Sequence, residues 1–376
     1  VATRRLAAEV LERVEQGAYA NLALPAALGR SGLVEQDRAL VTDLVYGTLR
    51  RRRACDAAVS EHLTRMPEGV GLQALRIGAY QLRFRDDIPA YAAVDATVSA
   101  APKRLRGLTN AVLRKVARAA DQPLSDADEL SYPDWLVALL VTDLGQSDAI
   151  DALEQMNEPA RPTLRADGYT QDLASQWVIE AVGAQPGELV IDVCAAPGGK
   201  ATGLAATGAS VIAMDLHPQR AGLVAGNARR LGHHSMGVLA GDAVRMPLRS
   251  ASADRVLVDA PCSGLGVLRR RPDSRWRADA GGPERLAALQ RDLLTAAIGL
   301  LRPGGTLIYS VCTLTSAETL GVDAFIESEY PNLVPLPPLG DPWREWGRGS
   351  LLLPQSAGTD GMSLFRYQLT SRDERG

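Results

Sequence analysis

The sequence predicts an all-α N-terminal domain followed by an α/β domain built on a doubly wound, mostly parallel sheet. Three observations carry this prediction. Residues 4–118 repeat apolar side chains at helical spacing. From about residue 187, short apolar runs alternate with helical segments, the order that produces parallel sheets. Acidic residues then follow successive apolar runs, at Asp192, Asp215, Asp242 and Asp259, where an open parallel sheet places its ligand crevice.

In the N-terminal part, Leu6, Val10, Leu11 and Val14 share one helical face, as do Leu40, Val41, Leu44, Val45 and Leu49. The stretch Leu28-Gly29-Arg30-Ser31-Gly32 reads as a loop. Further helices are expected over 71–84 and 91–100, punctuated by Pro89 and Pro102. A last helix over 108–119 is expected to bury Leu108, Val112 and Val116 and to show Arg114, Lys115 and Arg118 outward. No acid–base or metal constellation occurs here, so binding suits this domain better than catalysis.

The stretch from Asp121 to Asp126 reads as a linker, followed by short helices over 134–143 and 148–156 and a short strand at Thr163-Leu164-Arg165. The expected boundaries are therefore a helical domain over 1–120, a linker and small mixed segment over 121–170, and the α/β domain over 171–376. Within the last, strands are expected at 189–191, 210–214, 237–239, 255–258, 306–309 and 363–369. Helices are expected after the first strand, ending near residue 204, after the second, over 218–231, and after the fourth, over 283–301; a further one spans 317–328.

Composition narrows the class. With 46% hydrophobic and 23% charged residues the chain reads as a globular protein, and no apolar run approaches bilayer length. The 4 cysteines in 376 residues do not suggest a disulfide framework, so the cytoplasm is the expected location. A net charge of −3 does not by itself point to nucleic acid. Its distribution says more: the lysines are Lys103, Lys115 and Lys200, and arginines cluster at 50–53, 104–118 and 269–277. Such clusters can hold phosphates or simply be solvated helix faces. His233 and His234 are adjacent and lack metal-ligand spacing, so no metal is expected.

The chemistry concentrates in two loops. Asp259-Ala260-Pro261-Cys262-Ser263-Gly264-Leu265-Gly266 follows the buried run Val256-Leu257-Val258. A cysteine at such a position is ordinarily a small hydrophobe. The first strand runs into Asp192-Val193-Cys194-Ala195-Ala196-Pro197-Gly198-Gly199-Lys200, whose glycines allow a ligand to approach the backbone. The G-x-G-x-x-G of a nicotinamide dehydrogenase is absent. Asp215 stands where ribose hydroxyls would lie, and Asp242 offers an acceptor for an adenine amino group, although each could also cap a turn.

Together these motifs resemble the S-adenosylmethionine-dependent RNA cytosine-C5 methyltransferases of the Nol/Nop/Sun class. The resemblance rests on 194–200, on Asp259-Ala260-Pro261-Cys262-Ser263-Gly264, on Tyr309-Ser310-Val311-Cys312-Thr313, on the basic run ending Arg271-Pro272-Asp273, and on Gly358-Thr359-Asp360-Gly361-Met362. The helical domain, with 89–98 and Asn110-Ala111-Val112-Leu113-Arg114-Lys115, resembles a NusB-like RNA-binding domain. That pairing is typical of the Sun (RsmB) branch, which methylates a cytosine of small-subunit ribosomal RNA. The family usually carries a longer stretch between Arg165 and Asp167; here it is almost absent.

The resemblance implies a Rossmann-like methyltransferase domain and assigns roles. Cys312 is the nucleophile that adds to C6 of the base, Cys262 assists product release, and Asp259 hydrogen-bonds the base near N3 and lies by the cofactor. Lys200 is the candidate to orient Asp259. S-adenosylmethionine is expected against Cys194, Ala195, Ala196, Pro197, Gly198, Gly199, Lys200, Asp215, Asp242 and Asp259. Ribosomal RNA is the expected partner, with Arg269, Arg270, Arg271, Arg275, Arg104, Arg114 and Lys115 as candidate contacts; no membrane or metal is expected, and the chain is taken as a monomer. Cys55 and Cys194 have no assigned chemistry. Transfer RNA as substrate, or a non-catalytic ribosome-assembly factor, stand as alternatives. A DNA cytosine methyltransferase would use Cys262 as nucleophile and leave Cys312 unexplained.

Overall fold

A computed structural model describes residues 1–120 and 122–370. Asp121, the first residue of the expected linker, and the last six positions of the expected α/β domain lie outside the described residues. The chain forms two compact units. One comprises Val1–Val137 together with Leu268–Arg277; the other comprises Ala138–Val267 and the chain from Ala278 onward.

The first unit is helical: α1 (Ala2–Glu15), α2 (Ala20–Gly29), α3 (Glu35–Arg50), α4 (Arg52–Ser60), α5 (Val70–Phe84), α6 (Ala90–Ala100) and α7 (Arg106–Arg118), then the short α8 (Asp126–Leu130). Helix α5 is the centre, packed against α1, α3, α4, α6 and α7. It is buried nearly all round, through Ala74, Leu75, Ile77, Ala79 and Tyr80. Small residues let its neighbours approach: a Cβ at Gly78 would lie 2.4 Å from Leu113, and one at Gly47 of α3 would strike the Tyr80 ring at 2.1 Å. Helices α2 and α4 lie within the stretch read as helical, but no apolar stripe is assigned to either, and α2 takes in Leu28 and Gly29 of the expected loop. Pro25 lies inside α2 and argues against an uninterrupted helix in the sequence. In α7, Val112 and Val116 are buried as expected, but Leu113 is the third buried apolar residue and Leu108 is exposed.

Helix α9 (Asp134–Leu144) carries the chain into the second unit, where α10 (Gln146–Gln155) and α11 (Leu173–Val182) precede the sheet. The expected strand at Thr163-Leu164-Arg165 is only an isolated bridge between Leu164 and Thr170. The strands are β1 (Leu189–Asp192), β2 (Ser210–Asp215), β3 (Gly237–Ala240), β4 (Ala253–Asp259), β5 (Leu301–Val311), β6 (Leu333–Pro335), β7 (Arg344–Trp346), β8 (Gly349–Leu352) and β9 (Met362–Leu369). Their order is β3-β2-β1-β4-β5-β9-β8-β7, with β6 on β9. The first five are parallel; β9 joins β5 antiparallel and begins the antiparallel edge.

Helices α12 (Gly199–Ala205), α13 (Pro218–Arg230), α15 (Gly282–Ile298) and α16 (Leu320–Glu329) cover the sheet; the short α14 (Ser274–Arg277) belongs to the first unit and α17 (Pro354–Ala357) precedes β9. Alternation along β4 feeds both faces. Val256 and Val258 pack with Leu293 and Leu294 of α15 and Ile326 of α16, while Leu257 packs with Val178 of α11 and Leu204 of α12. Burial on both faces is why the parallel strands read as continuous apolar runs. Strands β6, β7 and β8, three or four residues long, are not among the expected strands. Gly347, at φ +56°, makes the two-residue turn between β7 and β8.

Candidate active site

Strand order reverses between β1 and β4, so the crevice opens at their carboxyl ends. Asp192 ends β1, Asp215 ends β2, Asp259 ends β4, and Cys312 follows β5 directly. Register sets Asp259 opposite Ser310, which brings the two cysteine loops to neighbouring strand ends.

At the centre, Cys262 Sγ and Cys312 Sγ lie 3.2 Å apart. The Cys262 thiol is pushed well above its usual range by its hydrogen bond to Cys312, by burial, and by the charges of Cys312 and Glu318. Lys200 Nζ donates to Asp259 Oδ2 at 2.7 Å. Burial opposes charge on Lys200, yet the Asp259 carboxylate, its hydrogen bond and the Cys312 sulfur raise the ammonium above the ordinary lysine value. A positive group is thus held where it favours a thiolate at Cys312.

The loop carrying Cys262 is held by backbone as well. Gly266 N–H donates to the Cys312 carbonyl at 3.0 Å, and Gly361 N–H donates to the Gly266 carbonyl at 2.8 Å. A Cβ at Gly266 would stand 2.4 Å from the Gly361 carbonyl oxygen, so only glycine threads between the two segments. Gly361 is confined in turn, since a Cβ there would lie 2.8 Å from the Leu314 side chain and 3.2 Å from Gly266 Cα.

On the other side of Asp259, Asp192 is fully buried, and its carboxyl is raised to about 7 by burial first and by Asp259 next, against the opposing pull of Lys200. Its Oδ1 accepts from Cys194 N–H at 3.3 Å; its buried Oδ2 has no hydrogen-bond partner among the described residues. A buried acceptor left open in this way fits a ligand ammonium. The following loop turns tightly: Gly198, at φ +103°, runs so close to α13 that a Cβ there would meet Val224 Cα at 3.1 Å. Asp215 is buried, accepting from His217 N–H at 3.1 Å and pairing with Arg220 Nε at 3.3 Å. Asp242 is exposed, and Val244 N–H donates to its Oδ1 at 2.9 Å. Cys194 has its thiol raised by burial and by Asp192. The fully buried Cys55 belongs to the helical unit's core.

The arginine expectations need correction. Arg269 and Arg275 read as phosphate ligands in the sequence, but Arg269 is 5% exposed and Arg275 wholly buried, both within the helical unit. Arg275 Nη1 donates to the Arg50 carbonyl at 3.0 Å, and its guanidinium lies 3.9 Å from the Tyr132 ring centroid. Burial lowers its pKa to about 10, against the opposing Tyr132. Neighbours share this structural part: Asp273 Oδ2 accepts from Ala20 N–H at the start of α2 at 3.2 Å, and Trp276 Nε1 donates to the Leu49 carbonyl at 2.7 Å. Arg270 is half-buried, whereas Arg271, Arg104, Arg114 and Lys115 are exposed.

Two acidic groups with no role assigned from the sequence stand beside these residues. Asp192 stands at a strand end in plain sight of the sequence. Glu318 does not, because it lies beyond the cysteine motif before α16.

Comparison with known proteins identifies the family. A family described as 16S rRNA methyltransferase RsmB/F matches residues 180–367, and the NusB family matches residues 1–118. The ribosomal RNA small subunit methyltransferase B of Thermus thermophilus is 38% identical over 370 residues, covering 89% of each chain. This chain belongs to the RsmB/F family. A probable RsmB relative from Bacillus subtilis is 31% identical over 437 residues, covering 96% of this chain and 97% of that one. The crystal structure of PH0851 shares the fold with a TM-score of 0.79 over 97% of this chain and 98% of that chain, at 21% identity. The RsmB/F chain is therefore a methyltransferase with a Rossmann-like sheet and a NusB helical domain.

Proposed function

We propose that this chain methylates carbon 5 of a cytosine in 16S ribosomal RNA, with S-adenosylmethionine as cofactor. The observation that carries the reading is the pair of sulfurs 3.2 Å apart beside a Lys200–Asp259 ion pair. One cysteine would suffice for a nucleophile. A second within reach suits a reaction that must form and later break a sulfur–carbon bond.

Cytosine C5 is a weak nucleophile. When the Cys312 thiolate adds to C6, the ring acquires enamine character and C5 becomes able to accept a methyl group. Bound S-adenosylmethionine supplies that group as an electrophile. Cys262 assists the ending of the cycle, in which C5 loses its proton, the Cys312–C6 bond breaks and the ring regains its double bond. Asp259 hydrogen-bonds the base near N3, and Lys200 holds its Oδ2 in place. A base reached by Cys312 must be unstacked from its neighbours.

The residues that would hold the cofactor are Asp192, for its amino group, 194–200 along its length, Asp215 for ribose and Asp242 for adenine. Of the expected contacts, Arg104, Arg114, Lys115 and Arg271 are exposed and available to RNA phosphates. Bisulfite sequencing of ribosomal and transfer RNA from a strain lacking the gene tests the reading. Loss of one 5-methylcytosine from 16S RNA is expected; loss from transfer RNA instead would overturn the substrate, and no loss would overturn the activity.

A further inference from the structure

Glu318 is wholly buried, 0% exposed, and the chemistry just described makes no use of it. A carboxylate so placed needs partners, and those it has come from both sides of the cysteine pair. From the Cys262 loop, Ser263 N–H donates to Oε1 at 2.8 Å and Ser263 Oγ to Oε2 at 2.5 Å. From the Cys312 loop, Thr313 Oγ1 donates to Oε2 at 3.2 Å and Thr315 Oγ1 at 2.9 Å. Gln290 of α15 donates to Oε1 at 3.0 Å and, with the same amide, to the Pro261 carbonyl at 3.0 Å. Tyr309, on β5, sets its hydroxyl 2.8 Å from Gln290 Oε1 and 2.6 Å from the Glu318 carbonyl.

We propose that Glu318 is the positioning residue of the cysteine pair: one buried carboxylate ties the residue after Cys262 to the residue after Cys312 and sets a negative charge beside them. The inference rests on the two-cysteine reading of the site. Both cysteines are flanked by a residue bonded to the same carboxylate, so neither loop can shift without breaking a charge-assisted hydrogen bond. The charges around the pair are also unequal. Glu318 raises the Cys262 thiol, whereas the Lys200 ammonium interacts favourably with an ionised Cys312. The negative group adds to the hydrogen bond and the burial that hold the Cys262 thiol up, while the positive one favours a thiolate at Cys312. Two like side chains are thereby held in unequal electrostatic surroundings, as residues with different parts in one cycle require.

The test uses the full chain and a readout that does not depend on methylation. Wild type and Glu318→Gln are treated with iodoacetamide from pH 6 to 9.5, and alkylation of Cys262 and Cys312 is followed separately by peptide mass spectrometry. Glutamine keeps the size and removes the charge. In wild type Cys312 reacts first; in Glu318→Gln the Cys262 rate is expected to rise, because one of the charges that holds its thiol up is gone. The preference between the two sulfurs then shrinks or vanishes. An unchanged preference in a folded Glu318→Gln chain overturns the proposal.

If Glu318→Gln does not fold, Ser263→Ala cuts the hydroxyl tie and leaves the carboxylate charged. It should lower kcat at unchanged KM for RNA, and an unaltered kcat overturns the clamp. A wild-type chain that methylates no 16S RNA sinks the functional reading instead, whatever the alkylation pattern.

Discussion

The sulfurs of Cys262 and Cys312 meet at 3.2 Å across 50 residues of chain, because each follows the end of one of two adjacent parallel strands. Their separation is a property of the sheet, and it predicts a division of labour. Cys312→Ala should abolish methyl transfer. Cys262→Ala should leave the first bond intact and impair the last, so that a covalent protein–RNA complex accumulates. Denaturing gels of each variant with labelled 16S RNA and S-adenosylmethionine check both; normal turnover by Cys262→Ala without a trapped complex would reverse the assignment.

With Asp192 as the proposed partner of the cofactor's amino group, cofactor affinity is predicted to depend on pH. The groups facing it are Asp259 and Asp215, which raise its carboxyl, and Lys200, which lowers it, with the result near 7. Ionisation through that pKa creates the partner for a ligand ammonium, so the Kd for S-adenosylmethionine should fall by up to about tenfold between pH 6 and 8. Isothermal calorimetry measures this, and Asp192→Asn should bind weakly with a flat profile. Stability runs the other way. The folded state keeps a proton that an unfolded aspartate loses near pH 4, so this group costs stability increasingly from about pH 4 to 7 and fully above. Asp192→Asn should therefore raise the Tm at pH 8 and leave it nearly unchanged at pH 4.

Gly266 predicts a steric penalty confined to the site. Gly266→Ala would drive a Cβ against the Gly361 carbonyl oxygen at 2.4 Å and the Cys312 carbonyl oxygen at 3.0 Å, both backbone atoms that cannot swing aside. Overpacking of this kind costs about 1–3 kcal/mol, and the displaced loop should reduce kcat far more than the Tm suggests. Gly226→Ala is the control. Its Cβ meets nothing within 4 Å in α13, and alanine there should add about 0.5–1 kcal/mol of stability without changing turnover.

The arginines separate by burial. Arg275→Met should remove about 1–3 kcal/mol of stability by leaving the carbonyls it serves unsatisfied, with little change in the salt dependence of RNA binding. Replacing the exposed Arg104, Arg114 and Lys115 together by alanine should do the opposite. Stability changes little, while the slope of log affinity against log salt should fall by about 0.7 for each phosphate no longer neutralised. Thermal melts and filter binding at several salt concentrations distinguish the two sets.

Most of the architecture is legible in the chain because periodicity is a local property. Parallel strands buried on both faces leave continuous apolar runs, and α1, α3 and α5 leave helical stripes. The same reasoning fails where partners are distant. Helix α2 follows from interactions that its own residues do not announce, including the cap from Asp273, which lies 253 residues away. Arg275 reads as one more basic residue in a polar run, yet the segment Leu268–Arg277 leaves the sheet unit and packs within the helical one. Nothing in its spacing signals that the charge is buried.

The site divides in the same way. The sequence by itself determined the fold class, the acids at the strand ends, the glycine loops and the two cysteines, since each is a residue type demanded by a local turn or by the chemistry. The tertiary structure alone decided how these groups act on one another. It brought Lys200 to Asp259 at 2.7 Å, left a buried oxygen of Asp192 open, and gathered Ser263, Gln290, Thr313 and Thr315 on Glu318. Electrostatic bias between two like sulfurs depends on distances of a few ångströms between residues far apart in the chain, and only the packed sheet sets those distances.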